Sequence, residues 1–165
     1  SDYDWSPVTR VVDVGGGTGV MLRTLLDAHP HLQGTLFDLP QVVGALKPTG
    51  RLEIVAGDVF GDPLPASDAY VLSQILHGWP DEGAARILRH CVEAGRDDVR
   101  VLVVEGVVCE PPSADDASFD LFMLTLSGGR QRTLDEFRGL AKSVGLELRS
   151  SRLLRTGNSL LELRR

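Results

Sequence analysis

The segment Asp13-Val14-Gly15-Gly16-Gly17-Thr18-Gly19 constrains this chain most, because it follows an apolar run, Arg10 to Val14, and precedes an amphipathic one, Met21 to Ala28. Glycines at such a junction let the backbone turn sharply and approach a ligand closely. The N-terminus of the following helix offers N–H groups to an anionic group such as a carboxylate. Strand, glycine turn and helix in this order open a βαβ nucleotide-binding unit. A dinucleotide fingerprint requires G-x-G-x-x-G, but Gly15 and Gly17 are followed by Val20 at the third position, whereas Gly19 completes G-x-G-x-G. An NAD site thereby loses its defining residue. Taken alone, the turn is equally compatible with close packing of a strand on a helix.

The alternation of apolar and amphipathic runs continues along the chain. Leu36-Phe37-Asp38 ends a second strand, Leu52 to Ala56 forms a third and Ala69 to Ser73 a fourth. Val101 to Val104 is wholly apolar, as expected of a strand covered on both faces. Asp81 to Ala94 predicts a helix with Asp81 and Glu82 in its favourable first turn. Ala117 to Leu126 and Leu134 to Val144 predict two more helices. Leu146 to Leu154 and Ser159 to Leu163 predict strands joined through Thr156-Gly157-Asn158, a turn signal. The expected architecture is α/β: a Rossmann-like, doubly wound, mostly parallel sheet of seven strands closed by a C-terminal antiparallel hairpin. A length of 165 residues suits one domain spanning residues 1–165.

Charge narrows the ligand class. The formal charge is -6, and the 17 Lys and Arg are scattered rather than gathered into a stripe that follows a phosphate backbone, so a small molecule is expected and a nucleic acid is not. Cys91 and Cys109 stand in apolar contexts, which favours buried thiols over a disulfide or a metal ligand, and no metal site is expected. With neither a membrane-length apolar run nor a signal-peptide pattern, the expected location is the cytoplasm.

Acidic residues recur where successive strands end. Asp38 lies about twenty residues beyond the glycine turn, where doubly wound nucleotide folds place an acid on the ribose hydroxyls. The third strand is followed by Gly57-Asp58-Val59-Phe60, which pairs a carboxylate suited to an adenine amine with a ring suited to cover the base. Either aspartate can also be a plain turn or helix cap. Their shared edge favours a ligand, because open α/β sheets bind ligands along the strand C-termini.

The segments VVDVGGGTG, LFDLPQVV, VAGDVF, SQILHGWPDEGAARIL, VLVVEGVV and DLFMLTLSGGRQRTLDEF, followed by GLAKSVGLE, resemble in content and order the S-adenosylmethionine-dependent small-molecule O-methyltransferases of plants and actinobacteria. The resemblance covers nearly the whole chain and implies a class I methyltransferase fold. It implies S-adenosylmethionine as cofactor and S-adenosylhomocysteine as product, held by Asp13, Gly15, Gly17, Asp38, Leu39, Asp58, Val59, Phe60 and Ser73. It further implies that His77 is the catalytic base with Glu105 as its orienting acid, and that Trp79, Phe119, Met123 and Gln131 line the acceptor site. Phe119, Phe122, Met123 and Leu126 fall at helical spacing, and apolar residues so spaced are more often core than pocket lining.

In-line methyl transfer needs donor and acceptor oxygen aligned and the hydroxyl proton removed; a neutral imidazole beside a carboxylate suits the second task. Two positions depart from the family pattern. Gly78 stands where many plant members carry Asp, and Gln131 where they carry Glu; Gln131 can still hydrogen-bond an imidazole. The family's helical, winged-helix-like N-terminal domain, which dimerises and helps enclose the acceptor, is absent from residues 1–165, and an excised domain of a homodimer is the expectation. The alternatives kept open are methyl transfer to N or C, an oxidoreductase on the same scaffold, and a domain that binds the cofactor without turnover.

Overall fold

The computed structural model describes residues 3–108, residue 125 and residues 128–165. Phe119, Phe122, Met123, Leu126, Cys109 and, apart from Thr125, the helix expected over Ala117 to Leu126 lie outside the described residues.

The elements follow one another as β1 (Arg10–Val14), α1 (Val20–Ala28), β2 (Gln33–Asp38), α2 (Pro40–Val43), β3 (Leu52–Ala56), β4 (Ala69–Ser73), α3 (Asp81–Ala94) and β5 (Arg100–Glu105). The short strands β6 (Val107–Val108) and β7 (Arg132–Thr133), α4 (Leu134–Ser143), β8 (Glu147–Leu153) and β9 (Ser159–Arg164) complete them. Seven strands form one sheet in the order β3-β2-β1-β4-β5-β9-β8. The β3-β2, β2-β1, β1-β4 and β4-β5 pairs are parallel, while β9 runs antiparallel to both β5 and β8. This is the expected topology, with the C-terminal hairpin joined to the sheet through its second strand.

Side chains alternate between two cores. Val12 and Val14 of β1 pack with Tyr70, Leu72, Val101 and Val103 under α3 and α4, while Val11 packs with Leu36, Val71 and Leu102 under α1. Both faces of the sheet are therefore covered, which is why β5 is apolar without alternation. Cys91 is fully buried in the first core, and burial pushes its thiol far above the ordinary range. The strand order reverses between β1 and β4, so the crevice of the fold opens outside their C-terminal ends.

Candidate functional site

At the end of β1 the chain turns through Gly15, Gly17 and Gly19, all at positive φ (70°, 60° and 74°), where side-chain-bearing residues are strained. Gly15 has a second reason to lack a side chain: a Cβ there would lie 2.5 Å from Ile75 Cδ1. The loop is tied to β2. Gly15 N–H donates to the Phe37 carbonyl (2.7 Å), and Gly17 N–H donates to Asp38 Oδ2 (2.8 Å). The other Asp38 oxygen accepts from the Leu39 N–H (2.7 Å). Asp38 is thus the turn-stabilising acid that its position allowed, and its oxygens keep further acceptor capacity toward the crevice.

Gly15, Asp38, Leu39, Asp58, Val59 and Phe60 border an open pocket of about 260 Å³. Trp79, which the resemblance sets at the acceptor, borders it too, and its ring meets Phe60 edge-on at 4.6 Å. The loop after β3 is braced by its own acids: Asp58 Oδ1 accepts from Phe60 N–H (2.9 Å), and Asp62 Oδ2 accepts from Asp58 N–H (2.8 Å). Gly17 and Ser73, the last residue of β4, do not border this pocket.

Asp13 lies beneath the glycine loop rather than in the pocket. It is fully buried, and neither carboxylate oxygen has a hydrogen-bond partner among the described residues. A Cβ on Gly16 would fall 2.3 Å from its Oδ2, so glycine there makes room for the acid. Desolvation, with the Asp38 charge nearby as a lesser cause, pushes its pKa up to about 7. A buried acid without partners fits a loop that takes up a charged ligand.

On the far side of the crevice, β4 is followed by Gln74 at φ 58° and by a single 3-10 turn, Leu76–Gly78, that carries His77. Glu105, the last residue of β5, is 1% exposed and uses both oxygens on this turn. Its Oε2 lies 2.6 Å from His77 Nδ1, and its Oε1 accepts from the Leu76 N–H (2.7 Å) and the His77 N–H (3.3 Å). A neutral imidazole then carries its proton on Nδ1 and its basic lone pair on Nε2. A Cβ on Gly78 would touch nothing within 4 Å, so packing does not enforce glycine there. Gly129 is enforced, since a Cβ there would lie 2.1 Å from the His77 carbonyl oxygen. The Gln131 amide nitrogen rests against Gly106, directly after Glu105.

The sequence motifs assign no role to the residues behind this front. His90 Nδ1 (2.6 Å) and Arg86 Nη2 (2.5 Å), one turn apart on α3, donate to the carbonyls of Val59 and Phe60, and the Arg86 guanidinium also lies 5.3 Å from the Phe60 ring centre. Their i, i+4 spacing was the available signal. Asp81, expected only as a first-turn acid of α3, also pairs with the buried Arg132, which no motif marked. Among the described residues, no group of three or more His, Cys, Asp or Glu is placed to hold a metal ion. Nor is any helix among them long and apolar enough to cross a membrane.

A glycine turn tied to a strand-end acid, an aromatic-capped pocket and a histidine oriented by a buried glutamate thus stand together along the C-terminal edge of a doubly wound sheet. The family model of the O-methyltransferase domain matches residues 1–147, and the chain belongs to this family. It is 43% identical over 157 residues to the 2,7-dihydroxy-5-methyl-1-naphthoate 7-O-methyltransferase of Streptomyces carzinostaticus, covering 90% of this chain and 46% of that protein. It is 42% identical over 161 residues to the aclacinomycin 10-hydroxylase of Streptomyces purpurascens, covering 91% and 43%. An O-methyltransferase from neocarzinostatin biosynthesis, solved with S-adenosylmethionine and 2-hydroxy-5-methyl naphthoic acid, superposes with a TM-score of 0.86 at 41% identity, over 98% of this chain and 50% of that one. The chain spans about half the length of these relatives.

Proposed function

We propose that this chain binds S-adenosylmethionine and transfers its methyl group to a hydroxyl of a small aromatic acceptor, with His77 as the general base. The observation that carries the proposal is the pairing, across one crevice, of the Asp38-bordered pocket with the His77–Glu105 couple. Asp38 would take the ribose hydroxyls and the Asp58–Phe60 loop the adenine, with Trp79 and Phe60 as its apolar walls. The glycine turn and the start of α1, whose first N–H groups have no side-chain cap, would face the methionine carboxylate. The cofactor supplies a methyl group on a sulfonium, a reactive electrophile. The residues of this chain hold the partners in line and accept the hydroxyl proton at His77 Nε2, while Glu105 stabilises the imidazolium that results.

In the proposal, the remaining length seen in the relatives supplies a helical domain that closes the acceptor site beside Gln131 and forms a homodimer. The acidic charge and the buried Cys91 thiol agree with a cytoplasmic setting and a partner other than nucleic acid. A second reading, a different reaction on the same cofactor scaffold, is favoured by the relative named as a hydroxylase and by Gly78 and Gln131. Product mass separates the two. Incubation of the full-length protein with S-adenosylmethionine and a dihydroxynaphthoic acid should add one methyl group to an oxygen. An added oxygen, or methylation at N or C, would overturn the O-methyl reading.

A further inference from the structure

We infer that Arg132 is a positioning residue for His77, clamping the turn that carries the imidazole from the side opposite Glu105. The inference deepens the base reading of His77 and rests on it.

The Arg132 side chain is 1% exposed, and its guanidinium is divided between the histidine turn and the Asp81 carboxylate, which it also pairs through Nη2 at 2.9 Å. Nη1 donates to the Leu76 carbonyl (2.9 Å), and more weakly to that of Arg130 (3.5 Å). Nη2 donates to the Trp79 carbonyl (2.8 Å), and Nε donates to Asp81 Oδ1 (3.0 Å). Leu76 and Trp79 bracket His77 and Gly78, so the fork closes over both carbonyl ends of the turn. Glu105 holds the N–H side of the same turn through Leu76 and His77. The turn's own backbone bonds are Gly78 N–H to Ile75 and Trp79 N–H to Leu76, both 3.1 Å, and Gly78 adds backbone freedom.

Arg132 and Glu105 are also held in register with each other. β6 begins two residues after Glu105 and pairs Val107 with Arg132 in a two-stranded ladder of its own. Asp81 is fixed in turn by Arg130, whose Nη2 lies 3.0 Å from Asp81 Oδ2, and these arginines hold its carboxyl below the ordinary carboxylate range. Burying a guanidinium is costly unless its donors are satisfied, and a planar fork satisfies divergent acceptors that a lysine ammonium cannot reach together. Two of the acceptors here are the backbone carbonyls that bracket His77, Leu76 and Trp79, which ties this burial to the placement of that side chain as well as to the Asp81 ion pair.

Nitrogen-15 NMR of the histidine rings in this chain tests the inference without any acceptor, because ring-nitrogen shifts report tautomer populations; the His77 signals are assigned by their loss in His77→Gln. The wild-type chain should show a single His77 tautomer with the proton on Nδ1. In Arg132→Gln the imidazole should populate both tautomers, Arg132→Lys should recover only part of the order, and Asp81→Asn should shift the populations in the same direction by less. Where Arg132→Gln fails to fold, the Lys and Asn variants carry the test. Folded variants of lower thermal stability whose His77 tautomer matches wild type would overturn the inference and leave Arg132 a structural residue. Failure of the base reading would be seen separately, as turnover that survives His77→Ala.

Discussion

In the proposed reaction the chemistry at His77 would turn on one hydrogen bond, the 2.6 Å contact from Nδ1 to Glu105 Oε2. If the imidazole takes the acceptor's proton, His77→Ala in the full-length enzyme should lower kcat by roughly 10²- to 10⁴-fold with cofactor affinity nearly unchanged. Glu105→Gln, which keeps the shape but not the charge, should cost less. A loss under about tenfold in His77→Ala, with rates that follow the acceptor's own pKa, would assign the acceleration to alignment alone. Asp13 makes a pH-dependent prediction of another kind. Its folded pKa of about 7 exceeds the ordinary carboxyl value, so between about pH 4 and pH 7 the folded chain binds a proton that the unfolded chain has released. That contribution is absent below the unfolded pKa. It lowers stability progressively as pH rises to about 7, by up to about 4 kcal/mol for the full shift. Urea unfolding of Asp13→Asn should therefore show a larger gain over wild type at pH 8 than at pH 5; an equal change at both would contradict the burial account.

At the level of elements, α4 begins with a complete capping box. Thr133 Oγ1 accepts from Glu136 N–H (3.2 Å) and Glu136 Oε2 accepts from Thr133 N–H (2.8 Å). Thr133→Ala should cost about 1 kcal/mol in chemical denaturation, and because Thr133 adjoins Arg132 the loss should also loosen the end of β7. Elements of this kind were legible beforehand because their periodicity is local: the strands of the parallel sheet, α1, α3 and α4 fall within a residue or two of their expected bounds. The 3-10 turn under His77 and the β6–β7 ladder were not legible. Three helical residues and two-residue strands carry no periodicity, and Val107 meets Arg132 only through tertiary packing. The docking of β9 beside β5 is likewise a long-range choice, written in no local pattern.

Across the whole molecule, the gathering of Gly15, Asp38, Asp58 and Phe60 around one pocket was legible because glycine turns and strand-end acids occupy fixed places in doubly wound folds. The contact of Trp79 with Phe60 was not legible, because it is made by the 3-10 turn that brings the two rings together from distant parts of the chain. Arg132 was missed because a buried arginine looks like any other charged residue until its acceptors are seen. What unites the molecule is the claim that this chain is a complete S-adenosylmethionine-binding unit whose ribose is held by Asp38. Titration calorimetry of the chain with S-adenosylhomocysteine and with NADH, repeated on Asp38→Ala, tests it most directly. The account predicts binding of S-adenosylhomocysteine, none of NADH, and a loss in Asp38→Ala of roughly 2 to 4 kcal/mol, or about 30- to 1,000-fold. Binding of NADH, or an affinity for S-adenosylhomocysteine unchanged by Asp38→Ala, would contradict it.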